Sequence, residues 1–399
     1  MQTSRILLTT TYYPPNHVGG DAVHVMYLAD QLVQEGHEVH VVYARDVATL
    51  KGVHRHAEEA AHDGPELHPV STELPIVNTA LSICAGAKSR LVTRAFELAR
   101  GLKPDVVHHH NIAGFGPRVL EMPADIRLYT AHDFWAACAK GDLVGRKGNP
   151  CDPTNEKWWC ALINARPPQL WRLWAGSPLR GIDHVIAPSH FMAGALQHLN
   201  KSVPIQVIPN FVPRKVNRRN RVSHGDYILF VGVLEPRKGA LQLLENYLRL
   251  PRDFGLGLKI VGTGPLKETL TSMIASSGRR NIELPGWVSD RERDVLYGDA
   301  LATVLPSQTP ENCPLVALEA LASGSPILAT RMGGLPELAS SPECSKLLAT
   351  NLEDLGAAIE YWAFEALPRE RARQSARELY ERRYSPEVFM KQYSQLLRA

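Results

Sequence analysis

The apolar residues of the first forty-odd positions change period twice. Residues 6–11 (ILLTTT) form a short β-rich run that stops at Pro14-Pro15. After a loop holding Gly19-Gly20, Val25, Leu28, Ala29 and Leu32 recur at the spacing of one helix face. The pattern predicts a strand, a helix over 22–34 ended by Gly36, and a strand over 39–43. Strand-like runs return at 105–108, 126–130, 184–187 and 206–208. Strands alternating with helices imply a parallel sheet covered on both faces.

Around residues 209–221 the texture changes to polar, basic and proline-bearing (PNFVPRKVNRRNR), the composition of a linker. All sixteen histidines lie at or before His224. Beyond it the pattern restarts, with strands predicted at 227–232, 258–262, near Ile282, at 302–305 and at 326–329. Helices are predicted at 239–248, 266–275 and 315–322, and three helical stretches close the chain, the last over 386–397. The expected architecture is α/β, with two facing doubly wound Rossmann-like domains and the ligand cleft between the carboxyl ends of their strands. The domains are expected at 1–208 and 226–383, joined by a linker over 209–225, with 384–399 as a helix crossing back to the first domain.

Composition narrows the function. A chain of 399 residues with 44% hydrophobic and 21% charged residues has the profile of an ordinary globular protein of about two or three domains. Its 44 Lys+Arg against 41 Asp+Glu leave only +3, which speaks against nucleic acid as a partner because phosphate neutralisation needs a basic excess. No apolar run approaches the ~20 residues that cross a bilayer, and the start lacks a signal peptide's pattern. With six cysteines and no such signal, a cytoplasmic location with reduced thiols is expected.

Four features of the second half carry chemistry in order. Glu235-Pro236-Arg237-Lys238-Gly239 opens a predicted helix after a strand, and two cations beside a helix N-terminus make an anion site. Gly262-Thr263-Gly264-Pro265 is a second strand-to-helix turn, where glycines let a ligand approach the backbone. Leu284-Pro285-Gly286-Trp287-Val288 follows, a loop on whose backbone a planar base can lie, although taken by itself the block is better explained by a packed tryptophan. Last, Glu311 and Glu319 flank the start of the helix over 315–322, with Pro314 suited to its first turn. Glu319 stands among Val316, Leu318 and Leu321, so its carboxylate needs a partner, and a ribose diol offers two donors. Glu311 on the preceding loop is free to reach a sugar hydroxyl, and the helix start between them can take phosphate on backbone N–H groups.

With these blocks in this order, the whole chain resembles the retaining family-4 glycosyltransferases of the GT-B fold. Glu311 and Glu319 match that family's E-x7-E signature, and VGVLEPRKG, IVGTGPL and LPGWV look like its nucleotide-binding blocks. Gly19-Gly20 looks like its donor loop, and His132 in YTAHDFW matches its catalytic-region histidine. The closing YSPEVFMKQYSQLL resembles the helix that crosses back to the first domain.

The resemblance implies transfer of a sugar from a nucleotide diphosphate sugar to a glycan or lipid-linked acceptor, with retention at the anomeric carbon. Bacterial surface polysaccharide or glycoconjugate synthesis is the commonest setting of such sequences. Lys238 and Arg237 would hold the diphosphate, Glu319 the ribose, Glu311 and His132 the donor sugar, and Gly286 and Val288 the base. Gly19, Gly20, Asn312, Cys313, Leu315 and Val316 would complete the donor-binding set. The family's habit is metal-independent, and the absence of a DxD pair fits an enzyme with no cofactor. Two departures stand out: Val233 replaces the arginine of the usual VGR, and Asn312-Cys313-Pro314 stands where many members read GFG.

Three further clusters lie in the first half. Cys138, Cys151 and Cys160 follow HDFW without a CxxC pair, which leaves zinc, packed thiols and a labile disulfide all open. His108-His109-His110 ends a predicted strand, whose alternation lets only part of the run face a ligand. Residues 166–180 mix Trp171, Leu173 and Trp174 with Arg166, Arg172 and Arg180, which suits either a peripheral membrane contact or a packed connector. Competing readings of the whole are a sugar-nucleotide epimerase of similar fold and a non-catalytic sugar-nucleotide-binding protein. A nicotinamide oxidoreductase, suggested by Asp46 after the second strand, is rejected because NHVGGDAVH is not GxGxxG.

Overall fold

In the computed structural model the described residues are 3–17, 19–50, 64–145, 151, 168–173, 177–197, 199, 203–213, 226–361 and 369–398. They fall into two units, one of residues 1–209 with 390–399 and the other of 210–389.

The first unit is built on seven parallel strands: β1 (Arg5–Thr10), β2 (Glu38–Ala44), β3 (Glu66–Val70), β4 (Val106–His109), β5 (Ile126–Thr130), β6 (His184–Ala187) and β7 (Ile205–Val207). Their order is β3-β2-β1-β4-β5-β6-β7, so the sheet reverses direction of growth between β1 and β4. Central strands are apolar on both faces, with Ile6, Leu7, Leu8, Val106 and Val107 inaccessible or nearly so, as helices on both sides require. The helix Gly20–Gln34 buries the predicted stripe Val25, Leu28, Ala29 and Leu32. β3 was not predicted: ELHPV lacks an apolar run and carries Pro69, which a sheet tolerates at the edge position β3 holds.

The second unit repeats the plan with β8 (Tyr227–Val231), β9 (Gly257–Val261), β10 (Ile282–Gly286), β11 (Ala302–Leu305), β12 (Ile327–Thr330) and β13 (Ser345–Leu348), in the order β10-β9-β8-β11-β12-β13. Its reversal lies between β8 and β11. The predicted helix over 315–322 is found as Leu315–Ala322. β13, half-buried and at the other edge, had no clear signal.

The linker begins later than its composition suggests. Residues 210–212 pack into the second unit: Phe211 meets Phe389 at 4.7 Å between ring centroids, Val212 O accepts from Tyr380 Oη at 2.8 Å, and Asn210 Nδ2 donates to Cys313 O at 3.0 Å. The apolar Phe211-Val212 pair inside a polar stretch explains the difference. Residues 214–225 lie outside the described set. The last helix is Pro386–Leu396, and it is from residue 390, not 384, that the chain groups with the first unit. Tyr393 is the link, its hydroxyl 3.0 Å from His108 Nδ1.

Candidate active site

In doubly wound sheets ligands bind beyond the carboxyl ends of the strands, where the strand order reverses. In the second unit those ends belong to β8 and β11, and the EPRKG and SQTPE loops leave from them. Pro236–Lys238 forms a single 3-10 turn ahead of the helix Ala240–Arg249, so the two cations precede that helix instead of opening it. Gly239 sits between at φ 77°, and a Cβ there would lie 1.9 Å from Pro306 O, so only glycine lets the two loops touch. Gln308 N donates to Arg237 O at 2.8 Å and fastens them.

This contact brings two predicted residues together. Lys238 Nζ lies 2.6 Å from Glu311 Oε1, which also accepts from Ser307 Oγ at 3.0 Å. Glu311 is held from behind by the turn after β12, where Gly334 N donates to its carbonyl at 2.7 Å and Gly333, at φ 62°, leaves no room for a Cβ. Gly333-Gly334, like Gly19-Gly20 a glycine pair after a strand, is not among the residues the sequence motifs single out. Arg237 does not stand free: its Nε donates to Glu235 Oε1 at 2.6 Å, and its side chain is 56% exposed. Val233 is exposed beside them.

Glu319 is buried, and its need for partners is met within the protein. Arg293 Nη2 reaches Oε1 at 3.3 Å and Tyr297 Oη donates to Oε2 at 3.2 Å. Both partners belong to the helix Asp290–Asp299, whose start is closed by a capping box of Ser289 and Glu292. Their four-residue spacing puts them on one helix face, a signal that gains meaning only when a carboxylate is known to face it. Just before this helix, Gly286 O accepts from Gly262 N at 2.8 Å, Val288 is half-buried and Trp287 is 62% exposed. The tryptophan is therefore not the packed residue that was one expectation. Around the helix start Asn312, Cys313 and Leu315 are buried and Val316 half-buried. Burial pushes the Cys313 thiol up to about 12, which keeps it protonated.

The first unit places a second polar group at its own reversal, between β1 and β4. Alternation divides the histidine run: His109 turns to Thr9 Oγ1 (2.7 Å), while His108 and His110 share the other face. His110 Nδ1 is 3.0 Å from Nε2 of His132, which follows β5, and His108 Nε2 is 2.8 Å from Thr130 Oγ1. His24, from the helix Gly20–Gln34, meets His132 at 5.1 Å between ring centroids. All three members of the run are buried, so none is a surface residue. Burial drives His108, His110 and His132 well below the usual histidine range and His109 to about 3, so the group is neutral at pH 7. Gly19-Gly20 begins the helix, and Asp21 in its first turn accepts from Asn111 Nδ2 at 2.5 Å. Burial raises Asp21, and raises Asp133 to about 6. His24, Asp21, Asn111 and Asp133 were all missed, because their separation along the chain hides a grouping that only the sheet creates.

Trp171 is buried, its Nε1 donating to Ile83 O at 3.1 Å, with the Arg172 guanidinium 4.7 Å from its ring centroid. Trp171 is thus a packed residue, Leu173 close by is 54% exposed, and Arg166 and Trp174 lie outside the described residues, as does Cys160. Cys138 and Cys151 are half-buried. Among the described residues no helix is long and apolar enough to cross a membrane.

Comparison with known proteins decides the family. The family described as Glycosyltransferase Family 4 matches residues 18–215, and Glycosyl transferases group 1 matches 213–379. The chain is a family-4 glycosyltransferase. It is 28% identical over 352 residues to a glycogen synthase of Mycobacterium tuberculosis, covering 84% of this chain and 79% of that protein. Its fold is like that of sucrose-phosphate synthase from Thermosynechococcus elongatus (TM-score 0.73, 18% identity, 99% of this chain and 98% of that one). It is also like that of Anabaena HepE solved with UDP and glucose (TM-score 0.68, 16% identity, 99% of both chains). Those two likenesses establish the GT-B fold.

Proposed function

We propose that this glycosyltransferase moves a sugar from a nucleoside diphosphate sugar to a glycan or lipid-linked acceptor with retention of anomeric configuration and without a metal ion, in bacterial surface polysaccharide or glycoconjugate synthesis. The observation that carries the reading is the meeting of Lys238 with Glu311 at 2.6 Å, beyond the carboxyl ends of β8 and β11. A cation beside an acid that can hold sugar hydroxyls is what a departing sugar diphosphate needs. Lys238 stabilises negative charge on the diphosphate as the anomeric C–O bond breaks. Glu311 accepts from donor-sugar hydroxyls. Glu319, oriented by Arg293 and Tyr297, accepts from the ribose, and the backbone at Gly286 and Val288 lines the base. Asn312, Cys313, Leu315 and Val316 shape the donor pocket at the helix start.

From the first unit, His132 and the Gly19-Gly20 turn serve the donor sugar. A neutral His132 acts there as a hydrogen-bonding group, not as a cation. The acceptor hydroxyl attacks the same face that the diphosphate leaves, and its proton passes to the leaving phosphate, so no side chain is needed as general base. The UDP and glucose bound to HepE support a nucleoside diphosphate donor, and the name of the glycogen synthase relative supports a glycan acceptor.

The test is a melting series with UDP-, GDP- and ADP-sugars, followed by NMR of the product's anomeric configuration. A donor at about 100 times its Kd adds about 2.7 kcal/mol of stability, so a shift with one nucleotide series is expected. No shift with any donor, or an inverted product, refutes the reading.

A peripheral membrane contact belongs to the same proposal. It is supported by Leu74, Ile76, Val77 and Leu81, exposed along the helical segments Pro75–Ala80 and Leu81–Ala85, with the exposed Lys88 and Arg90 following. Ile76→Asp is expected to reduce co-sedimentation with anionic vesicles; equal sedimentation removes the membrane contact and leaves the transferase reading.

A further inference from the structure

At the opposite, amino edge of the first sheet, β2 and β3 bring together a group that the transferase reading does not use. The pairing register sets His40 against Glu66 and Val42 against His68, so the period of two puts His40, Glu66 and His68 on one face. His40 Nδ1 lies 3.1 Å from His68 Nε2 and 3.3 Å from Glu66 Oε2, and His68 Nε2 lies 3.6 Å from Glu66 Oε1. A tetrahedral ion with bonds of about 2.0–2.1 Å holds its ligands about 3.3 Å apart. The facing nitrogens of His40 and His68 stand close to that spacing, each has a Glu66 carboxylate oxygen near it, and one ligand atom from each residue lies within 4.8 Å of the other two.

The orientation of His40 fits the same end. Its ring is buried, and Nε2 lies 3.0 Å from Glu38 Oε1, which is itself held by Arg5 Nε at 2.7 Å. Donation of Nε2–H to that carboxylate leaves the lone pair on Nδ1, the atom facing His68 and Glu66. Carboxylate–histidine pairs of this kind fix the tautomer of metal ligands and raise their basicity.

We propose that His40, His68 and Glu66 form a three-ligand site for a zinc-class divalent transition-metal ion, oriented by Glu38. Two imidazoles and one carboxylate select zinc, cobalt, nickel or copper over magnesium or calcium, which take all-oxygen shells. Glu66 is exposed, so water reaches the fourth position. The site lies away from the strand ends where doubly wound folds bind substrates, and it ties the edge strand β3 to its neighbour. Its role is structural, and it stands independently of the donor reading.

The experiment uses the full chain, without a histidine tag and stripped with chelator. Co²⁺ is titrated by visible absorption, and melting is followed with Zn²⁺ and with Mg²⁺. One Co²⁺ per chain with d–d bands, and a Zn²⁺-specific rise of several degrees in Tm, are expected. His68→Asn and Glu66→Gln, on a partly exposed edge strand, are expected to fold by circular dichroism. The first should lose the Co²⁺ bands, and the second should weaken Zn²⁺ at least tenfold. Glu38→Gln should weaken it about 10- to 100-fold. No stoichiometric Co²⁺ spectrum in the wild type, an equal shift with Mg²⁺, or unchanged Zn²⁺ affinity in His68→Asn overturns the proposal.

Discussion

Lys238 Nζ donates to Glu311 Oε1 at 2.6 Å across 73 residues of chain. The contact exists because β8 and β11 are neighbours in the sheet and Gly239 lets the loops leaving them touch. Both side chains are largely buried, so each sets the electrostatic environment of the other.

Lys238→Ala is expected to lower kcat by about 10²–10³, the worth of one donor aimed at developing charge. Because the pair acts together, the Lys238→Ala/Glu311→Ala double variant should fall no more than about threefold below the worse single variant. A double-mutant cycle in kcat checks this; multiplicative losses would mean that the two residues act separately.

Removing the Glu319 carboxylate should weaken binding of the free nucleoside diphosphate by about 1.5–3 kcal/mol, roughly 10- to 150-fold. Glu319→Ala also strips Arg293 and Tyr297 of an acceptor, so Glu319→Gln, which keeps one for Tyr297, separates binding from folding. Calorimetric titration of both variants measures the effect. Unchanged affinity in both removes the ribose role.

Arg237→Ala should cost turnover well beyond the exposed control Arg252→Ala, since Val233 leaves no arginine in the usual place. Its ion pair with Glu235 must then open when a diphosphate binds. Glu235→Gln, which frees the guanidinium, should tighten diphosphate binding. If Arg237→Ala matches the control, Lys238 carries the leaving group alone.

Unfolding should take up protons in mild acid. The buried His108, His109, His110 and His132 all sit below the histidine value of about 6.5 that they regain on unfolding. Their stabilising contribution is therefore present above about pH 6.5 and is lost as pH falls below it. Asp133, raised to about 6, and Asp21, also raised, act in the opposite sense: their contribution is present below about pH 3.9 and is lost as pH rises through the folded value. At pH 5.5 four histidines gain close to one proton each and two aspartates release up to one each. The net expectation is uptake of at least about two protons, read from the slope of unfolding free energy against pH. A flat profile between pH 5 and 6.5 would contradict the neutral histidine group.

EDTA should leave initial transfer rates unchanged while lowering Tm, because the proposed metal lies at the amino edge of the first sheet and the donor residues lie elsewhere. Rates and melting curves on the same chelated sample test both halves. Loss of transfer restored by Mg²⁺ or Mn²⁺ would refute metal independence.

What neighbouring residues dictate and what only the assembled sheets dictate differ because the forces involved differ in range along the chain. Periodicity along the chain determined the elements: the helix Leu315–Ala322 and the strands Ile126–Thr130, His184–Ala187 and Ala302–Leu305 stand where the apolar pattern puts them, since burial of a face is written into neighbouring residues. Order along the chain determined the family, because EPRKG, GTGP and the Glu311–Glu319 pair are local motifs. The edge strands β3 and β13 escaped notice because half-exposed strands need no continuous apolar run. Side-chain partners were decided by the tertiary structure alone. Arg293 and Tyr297 reach Glu319, His24 reaches His132, and His40 reaches His68 only because strand order brings their elements together, and strand order is set by packing between residues far apart in the chain.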